Sequence, residues 1–272
     1  MNKTPLVSII LPTYNWKEKW IRESIESVLN QTYNNFEFII INDASTNNVE
    51  EVIKEYGKKD KRIAYIKNEK NLKLTRTLNK GISIAKGKYI ARADDDDIWA
   101  TETQLQQQIE FMEENEDYWI VWTKADIIDE NWNYMYTIDR PWTDKEIREN
   151  MLVWCRFVHS SIVIRKNILD KVWWYNPDWN MVEDYELRLR IWTISKIRNL
   201  LNVASKVRIN TKSVTSKNYK RQKWMTLKLF FKYFKFYPKK HLLKALCFRF
   251  WELIIPPKIT RFILNKMRNI KI

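Results

Sequence analysis

The sequence predicts a Rossmann-like, doubly wound α/β domain with a mostly parallel sheet, followed by a basic, mainly helical C-terminal extension. Three observations carry that expectation. Short apolar runs alternate with segments of helical spacing from Leu6 to Met112, the signature of strand–helix–strand units. Acidic residues recur where those apolar runs end, where such folds hold their ligands. The charge is also divided, with a net −3 over residues 1–200 and +18 over residues 201–272 of a chain whose total is +15.

Leu6–Leu11 is a continuous apolar run closed by Pro12, and Phe36–Ile41 is another that ends in Asn42-Asp43. Runs of that length suit strands buried on both faces. Between them Ile21, Ile25, Val28 and Leu29 fall on one helical face, and Val49, Val52, Ile53 and Tyr56 repeat the pattern. Arg62–Lys67 is expected as a strand, Leu74–Ala85 as a helix and Tyr89–Ala93 as a strand. Thr101-Glu102-Thr103-Gln104 fits a capping box opening a helix with Leu105, Ile109 and Met112. Beyond residue 150 the pattern loosens: Val158–Ile164 suggests a strand and Glu183–Ile191 a helix. From Lys217 onward the chain is mostly helical, so we divide it into a domain over 1–216 and a basic amphipathic tail over 217–272.

Composition excludes several classes. Two cysteines, Cys155 and Cys247, make neither a disulfide framework nor a Cys-rich zinc site, and a reducing compartment is the default. There is no G-x-G-x-x-G. The nearest approach to a P-loop, Gly81 to Lys88, has one residue too many before its second Gly and Tyr89 in place of the magnesium-binding hydroxyl. No apolar run approaches the ~20 residues that cross a bilayer, and the N-terminal run is too short for a signal-peptide core. A cytoplasmic protein, peripheral on the inner face of the cell membrane, is expected.

The sharpest chemical signal is Asp94-Asp95-Asp96-Asp97, after one apolar strand and before a helix. Adjacent carboxylates repel unless a cation joins them, and hard oxygen ligands in a short turn suit Mg²⁺ or Mn²⁺ shared with substrate phosphates. A solvated acidic loop is the alternative. Asp43 is placed to accept hydrogen bonds from a base or ribose, or to cap the following helix. Glu183-Asp184 begins a helix, where acids also sit for dipole reasons alone. His159 precedes Ser160-Ser161 without a nucleophile elbow, which argues against a hydrolase triad and for a satisfied histidine inside the fold.

Several segments together resemble the family 2 glycosyltransferases of the GT-A fold. They are Val7–Asn15, Ile25–Tyr33, Asn42–Thr46, Asn79–Ile82 and Ala85–Arg92, with the acidic run at the family's Asp-x-Asp element and Val182–Leu187 at its acceptor-side motif. The likeness runs over roughly residues 5–215. It implies an inverting, metal-dependent hexosyl transfer from a nucleotide-diphosphate donor, a UDP-sugar by preference, to a glycan or lipid-linked acceptor hydroxyl, in cell-surface polysaccharide or lipid-linked glycan synthesis. In that reading Pro12, Tyr14 and Asp43 hold the nucleoside. Asp94 and Asp96 hold Mg²⁺ or Mn²⁺, Asp94 also meeting the donor. Asp184 is the general base, with Glu183 and His159 on the acceptor side. Lys73 and Arg92 meet phosphate or tie down the acidic loop. The Gln-x-x-Arg-Trp motif of processive members is absent, which favours a distributive enzyme. A GT-A-fold binding protein without activity is the alternative.

In the tail, Leu227, Phe230, Phe231 and Phe234 form one stripe, with Lys228, Lys232 and Lys235 beside it. Three readings follow: a helix lying on an anionic membrane surface, a nucleic-acid-binding module, or a stripe packed on the domain with solvated lysines. The membrane is the expected partner and nucleic acid is not.

Three glycines stand against fourteen tryptophans, where ordinary usage would give roughly 19 glycines. Trp16, Trp122, Trp132, Trp173 and Trp174 fall at places that relatives of this kind favour for glycine. Turns with positive φ are expected there. A source that reads UGA as glycine, translated with UGA as tryptophan, would give this pattern.

Overall fold

The computed structural model describes residues 4–138, 143–152, 158–209, 218–237 and 239–255. The chain opens with β1 (Val7–Thr13), α1 (Glu18–Leu29), β2 (Phe36–Asn42), α2 (Val49–Lys59), β3 (Ile63–Lys67), α3 (Leu74–Ile84) and β4 (Tyr89–Arg92). Next come β5 (Ile98–Trp99), α4 (Gln104–Glu114), β6 (Tyr118–Ile128), β7 (Tyr134–Ile138) and α5 (Asp144–Asn150). They are followed by β8 (Val163–Arg165), α6 (Lys166–Lys171), α7 (Glu183–Trp192), β9 (Lys196–Arg208), α8 (Tyr219–Tyr233) and α9 (Lys239–Ile254).

The strands form one mixed sheet in the order β3-β2-β1-β4-β8-β6-β9-β5, with β7 pairing along the far half of β6. The first four strands are parallel, and β8 enters antiparallel to β4. Apolar residues of β1 and β2 alternate between the two faces. Val7, Ile9, Leu11, Phe36, Phe38 and Ile40 join the core under α1, α2 and α4, while Ile10, Ile39 and Ile41 join the core under α3. That double burial is why these strands read as unbroken apolar runs. Gly81 lets α3 lie directly on β1, since a Cβ there would meet Ile10 Cγ2 at 2.7 Å.

The first three strands run outward from β1 on one side and β4 lies on the other, so the order reverses at the β1/β4 junction. Register there is fixed by Ile10 opposite Arg92, and the Ala93 N–H extends the ladder to Ile10 O at 3.1 Å. The acidic run therefore leaves the sheet beside Pro12–Tyr14.

Two expectations are corrected. The capping box at Thr101 does not form: α4 begins at Gln104 after Thr103, which makes no side-chain cap. Thr101 Oγ1 is buried without a partner, and Gln104 Oε1 instead accepts from the Ser205 hydroxyl at 3.1 Å. The expected strand over Val158–Ile164 starts as a single 3-10 turn, His159–Ser161, before β8. A turn suits this stretch because Ser161 Oγ donates to Val158 O at 3.0 Å.

The expected boundary at 216/217 falls outside the described residues, as does Cys155. The C-terminal helices share the core of the body. Leu229, Phe230, Tyr233, Tyr237 and Ala245 pack in the same cluster as α5, α6 and α7. Tyr233 Oη donates to the buried Glu186 of α7 at 2.8 Å, and Arg249 Nη2 donates to Tyr185 Oη at 3.1 Å. The stripe foreseen in the sequence is thus split: Leu227 and Phe230 are buried, whereas Phe231 and Phe234 are exposed.

Three of the five singled-out tryptophans have left-handed backbones: Trp132 (φ 70°), Trp173 (φ 61°) and Trp174 (φ 55°). Trp16 and Trp122 do not, although Trp16 follows Asn15 at φ 56°. Trp173 sits just past the C-terminus of α6. Its N–H reaches Asp170 O at 3.4 Å, and that of Trp174 reaches Leu169 O at 3.0 Å. This is the Schellman arrangement, whose left-handed position favours glycine. Trp132 closes the β6–β7 hairpin, its N–H on Asp129 O at 3.2 Å, in the left-handed place that follows a turn in such loops.

Candidate active site at the carboxyl ends of the strands

The crevice at the strand-order reversal gathers most of the predicted residues. Pro12 is buried near the end of β1, and Tyr14 is exposed just beyond it. Asp43 follows β2, with its N–H on Thr13 O at 2.9 Å. It does not cap α2, whose first turn follows Asn48. Its carboxylate secures the loop before α3 instead. Asp43 Oδ1 accepts from Asn68 Nδ2 (2.7 Å) and the Leu72 N–H (2.8 Å), and Oδ2 accepts from the Lys73 N–H (3.0 Å). Lys73 holds φ 70°, ψ 159° there, a region nearly reserved for glycine, and strain of that kind gathers at ligand-binding loops. Its exposed side chain joins Lys70, Arg76, Pro177 and Asn180 around a cleft of about 280 Å³.

The acidic run is built in alternation. Asp95 and Asp97 are buried, whereas Asp94 and Asp96 are partly exposed. Asp97 is a fastener, accepting from Ser160 Oγ at 2.5 Å and from the Arg208 N–H at 3.0 Å. Arg208, its side chain fully buried, donates to Asp96 O at 3.1 Å and to Glu23 Oε2 at 2.8 Å. Asp94 is met by Arg92 Nε at 2.7 Å, and its backbone oxygen accepts from Ser24 Oγ at 2.7 Å. Asp95 Oδ2 is buried without a partner. Burial pushes the Asp95 and Asp96 carboxyls well above their usual range, and neighbouring carboxylates add to it. Asp97 is pushed up to about 7, by burial first and then by Asp94.

Against four carboxylates, the loop is met by two guanidinium groups among the described residues, Arg92 on Asp94 and Arg208 on Asp96 O. Among the described residues no three His, Cys, Asp or Glu side chains converge as a metal cage. Mg²⁺ and Mn²⁺ need no such cage when phosphate and water complete their shell. The orphaned Asp95 oxygen and the partly exposed Asp94 and Asp96 fit an ion of that kind.

Arg92 links this loop to the opposite wall. Its Nη1 also contacts His159 Nδ1, and His159 Nε2 lies 2.7 Å from Tyr175 Oη. Burial, then the Arg92 charge, holds the His159 imidazole well below its usual pKa, so it bridges the two as a neutral ring. His159 is therefore a satisfied histidine inside the fold. Tyr175 is fixed by a reciprocal pair with Asn79, its N–H on Asn79 Oδ1 (3.0 Å) and its oxygen accepting from Asn79 Nδ2 (2.7 Å). Glu183, buried at the first turn of α7, accepts from the Met181 N–H at 2.8 Å. Burial, then Asp184, pushes its carboxyl up to about 7. Asp184 is more open, its side chain 31% exposed and 3.3 Å from Arg188 Nη2.

Arg208, Tyr175 and Ser160 escaped the sequence reading. Ser160 and Arg208 are distant in sequence from the acids they support, as Tyr175 is from Asn79, and the β5–β9 pairing, Ile98 opposite Lys206, brings Arg208 under the acidic loop. Arg208 closes a strand-like stretch that also carries Arg198 and Lys206, so nothing local singled it out.

Known proteins resemble this chain in sequence and fold. The pattern of Glycosyl transferase family 2 matches residues 8–173. The chain belongs to that family. An uncharacterized glycosyltransferase of Methanocaldococcus jannaschii is 42% identical over 188 residues, covering 68% of this chain and 64% of its own length. The Escherichia coli UDP-Glc:alpha-D-GlcNAc-diphosphoundecaprenol beta-1,3-glucosyltransferase WfaP is 34% identical, with 79% of this chain and 82% of WfaP covered. The mannosyltransferase PcManGT of Pyrobaculum calidifontis, solved with GDP-Man and Mn²⁺, superposes over 100% of this chain and 77% of its own with a TM-score of 0.71 at 15% identity. The fold of this family 2 member is accordingly GT-A, an α/β domain with a mixed, mostly parallel sheet and C-terminal helices.

Proposed function

We propose that this chain transfers a hexosyl group, with inversion, from a UDP-sugar to a hydroxyl of a lipid-linked or glycan acceptor in cell-surface polysaccharide synthesis. The observation that carries the reading is the alternation at 94–97, which leaves Asp94 and Asp96 partly exposed at the crevice while Asp95 and Asp97 are buried and Asp97 anchors the loop. The likeness to WfaP supports both the uridine donor and the lipid-linked acceptor.

Pro12, Tyr14 and the Asp43 loop would seat the nucleoside, and Lys73 at the cleft would meet phosphate. Asp94 and Asp96 would hold Mg²⁺ or Mn²⁺, which supplies positive charge for the departing diphosphate. Arg92 keeps Asp94 aimed into the crevice. Asp184, solvent-reachable at the start of α7, takes the acceptor proton as its oxygen bonds to the anomeric carbon. The bond from that carbon to the diphosphate oxygen breaks on the opposite face, and the electron pair leaves with UDP. Glu183 is unsuited to this role because it is buried and holds its own proton up to about pH 7. With no Gln-x-x-Arg-Trp motif, the enzyme adds one or a few sugars at a time. A lipid-linked acceptor would keep it on the inner face of the membrane. None of the described helices is long and apolar enough to cross one.

Screening nucleotide sugars for metal-dependent hydrolysis or transfer identifies the donor. Titration with UDP and Mn²⁺ tests the metal site: Asp96→Ala should abolish the metal-dependent part of UDP binding. Unchanged titration would remove Asp96 from that role.

A further inference from the structure

We infer that the outward faces of α8 and α9 form a docking surface for an anionic lipid bilayer, and that this surface is fixed rigidly to the acceptor-side helix α7. The inference rests on the transferase reading and adds to it the part of the molecule that meets the membrane. Of the stripe the sequence suggested, Phe231 belongs to this surface with Lys228 beside it, whereas Leu227 and Phe230 are buried.

On α9, Leu243, Cys247, Phe250 and Ile254 follow one another at spacings of four, three and four, which places them on one helical face. All four are exposed, with Leu243 at 73% and Ile254 at 77%. The opposite face of α9 is spent on the body through Ala245, Arg249 and Glu252. The pattern recurs on α8, where Trp224, Lys228 and Phe231 share an exposed face and Leu229, Phe230 and Tyr233 are buried. Neither outward face has a partner within the described chain that would bury it.

Charge identifies the occupant. Among the described residues from Lys220 to Lys244, seven lysines and arginines are exposed. The single acid of the two helices, Glu252, is 4% exposed and already paired with Lys223 and Arg249. Of the seven, Lys232 meets Glu186 at 3.4 Å, and the others face no acid among the described residues. An apolar stripe beside such cations matches the interface of an anionic bilayer, with the side chains inserted and the ammonium groups at the phosphates. A single-stranded nucleic acid fits less well, because Leu243 and Ile254 offer no ring for a base to stack on.

The attachment to α7 gives the surface its purpose. Gln222 Nε2 donates to Met181 O at 3.1 Å, just before Glu183. Tyr233 holds Glu186, and Arg249 holds Tyr185 and Leu152 O. A bilayer docked on α8–α9 is therefore held in a fixed relation to the helix that begins with Glu183-Asp184, as an acceptor anchored in lipid requires.

The test is flotation with phosphatidylcholine vesicles, with and without phosphatidylglycerol, for the full chain and for the L243E/F250E double variant. Both positions are exposed, so the fold should survive; thermal melting checks it. The wild type should float only with phosphatidylglycerol and less at high salt, and the double variant should lose at least about tenfold in vesicle affinity. Hydrolysis of the nucleotide sugar in solution should match in the two proteins, which separates failure of the surface from failure of the transferase reading. Three results would overturn the inference: no vesicle binding by the wild type, equal binding by the double variant, or a wild-type dimer in solution that the double variant dissolves.

Discussion

Replacing Trp173 by glycine should stabilise the protein. Trp173 occupies the left-handed position of the Schellman turn after α6, at φ 61°, and its side chain is 88% exposed. An L-residue with a Cβ gives up about 1–2 kcal/mol in that conformation, while glycine's extra freedom in the unfolded chain costs about 0.5–1 kcal/mol. Little apolar burial is lost from a ring so exposed. The net expectation is a gain of about 1 kcal/mol, or roughly 2–4 °C in Tm for a chain of this size. Trp173→Ala, which keeps the Cβ, should recover less. Trp174 is a poorer probe because its indole donates to Asp170 Oδ1 at 2.9 Å, and Trp132 is held under Lys206 and Arg208. Urea unfolding of the two Trp173 variants beside the wild type is the assay. If Trp173→Gly proves less stable than Trp173→Ala, the backbone is not strained at this turn. The codons then decide the origin: UGG at positions 132, 173 and 174 would rule out UGA read as glycine.

Two further outcomes follow from buried charge. Arg249→Ala leaves the buried Glu252 with Lys223 alone and removes the donors to Leu152 O and Tyr185, so it should cost about 3 kcal/mol; an unchanged melting curve would show that α9 is not docked on the body. Glu183 binds its proton more tightly in the folded chain, up to about pH 7, than in the unfolded chain. Its contribution is therefore most favourable below about pH 4.5 and is lost as pH rises through 7, a span of about 3 kcal/mol at most. Glu183→Gln should flatten the wild-type decline across that window in urea unfolding against pH, and a parallel decline in both proteins would contradict the assignment.

The parallel half of the sheet was legible because both faces of β1 and β2 are buried, and uninterrupted apolar runs say so directly. The acidic loop was legible for a related reason, since four adjacent carboxylates stand out at the end of such a strand. The sequence could not show which two of the four face solvent. That depends on Ser160, in the 3-10 turn before β8, and Arg208, at the end of β9, both more than sixty residues away. The tail misled in the opposite direction: Leu227 and Phe230 look like a membrane-facing stripe, but helical spacing does not reveal which side of a helix the body covers. The capping box failed because Gln104 found a better partner in Ser205, a contact no local pattern encodes.

The central claim is that Asp184 is the base of a donor-dependent sugar transfer. It is tested most directly by transfer from the screened UDP-sugar to GlcNAc-diphosphoundecaprenol, the acceptor named for WfaP, with UDP affinity measured on the same preparations. Asp184→Asn should lower transfer by about 10²–10⁴-fold and leave UDP binding unchanged. Transfer near the wild-type rate, or a parallel loss of UDP binding, would contradict the assignment.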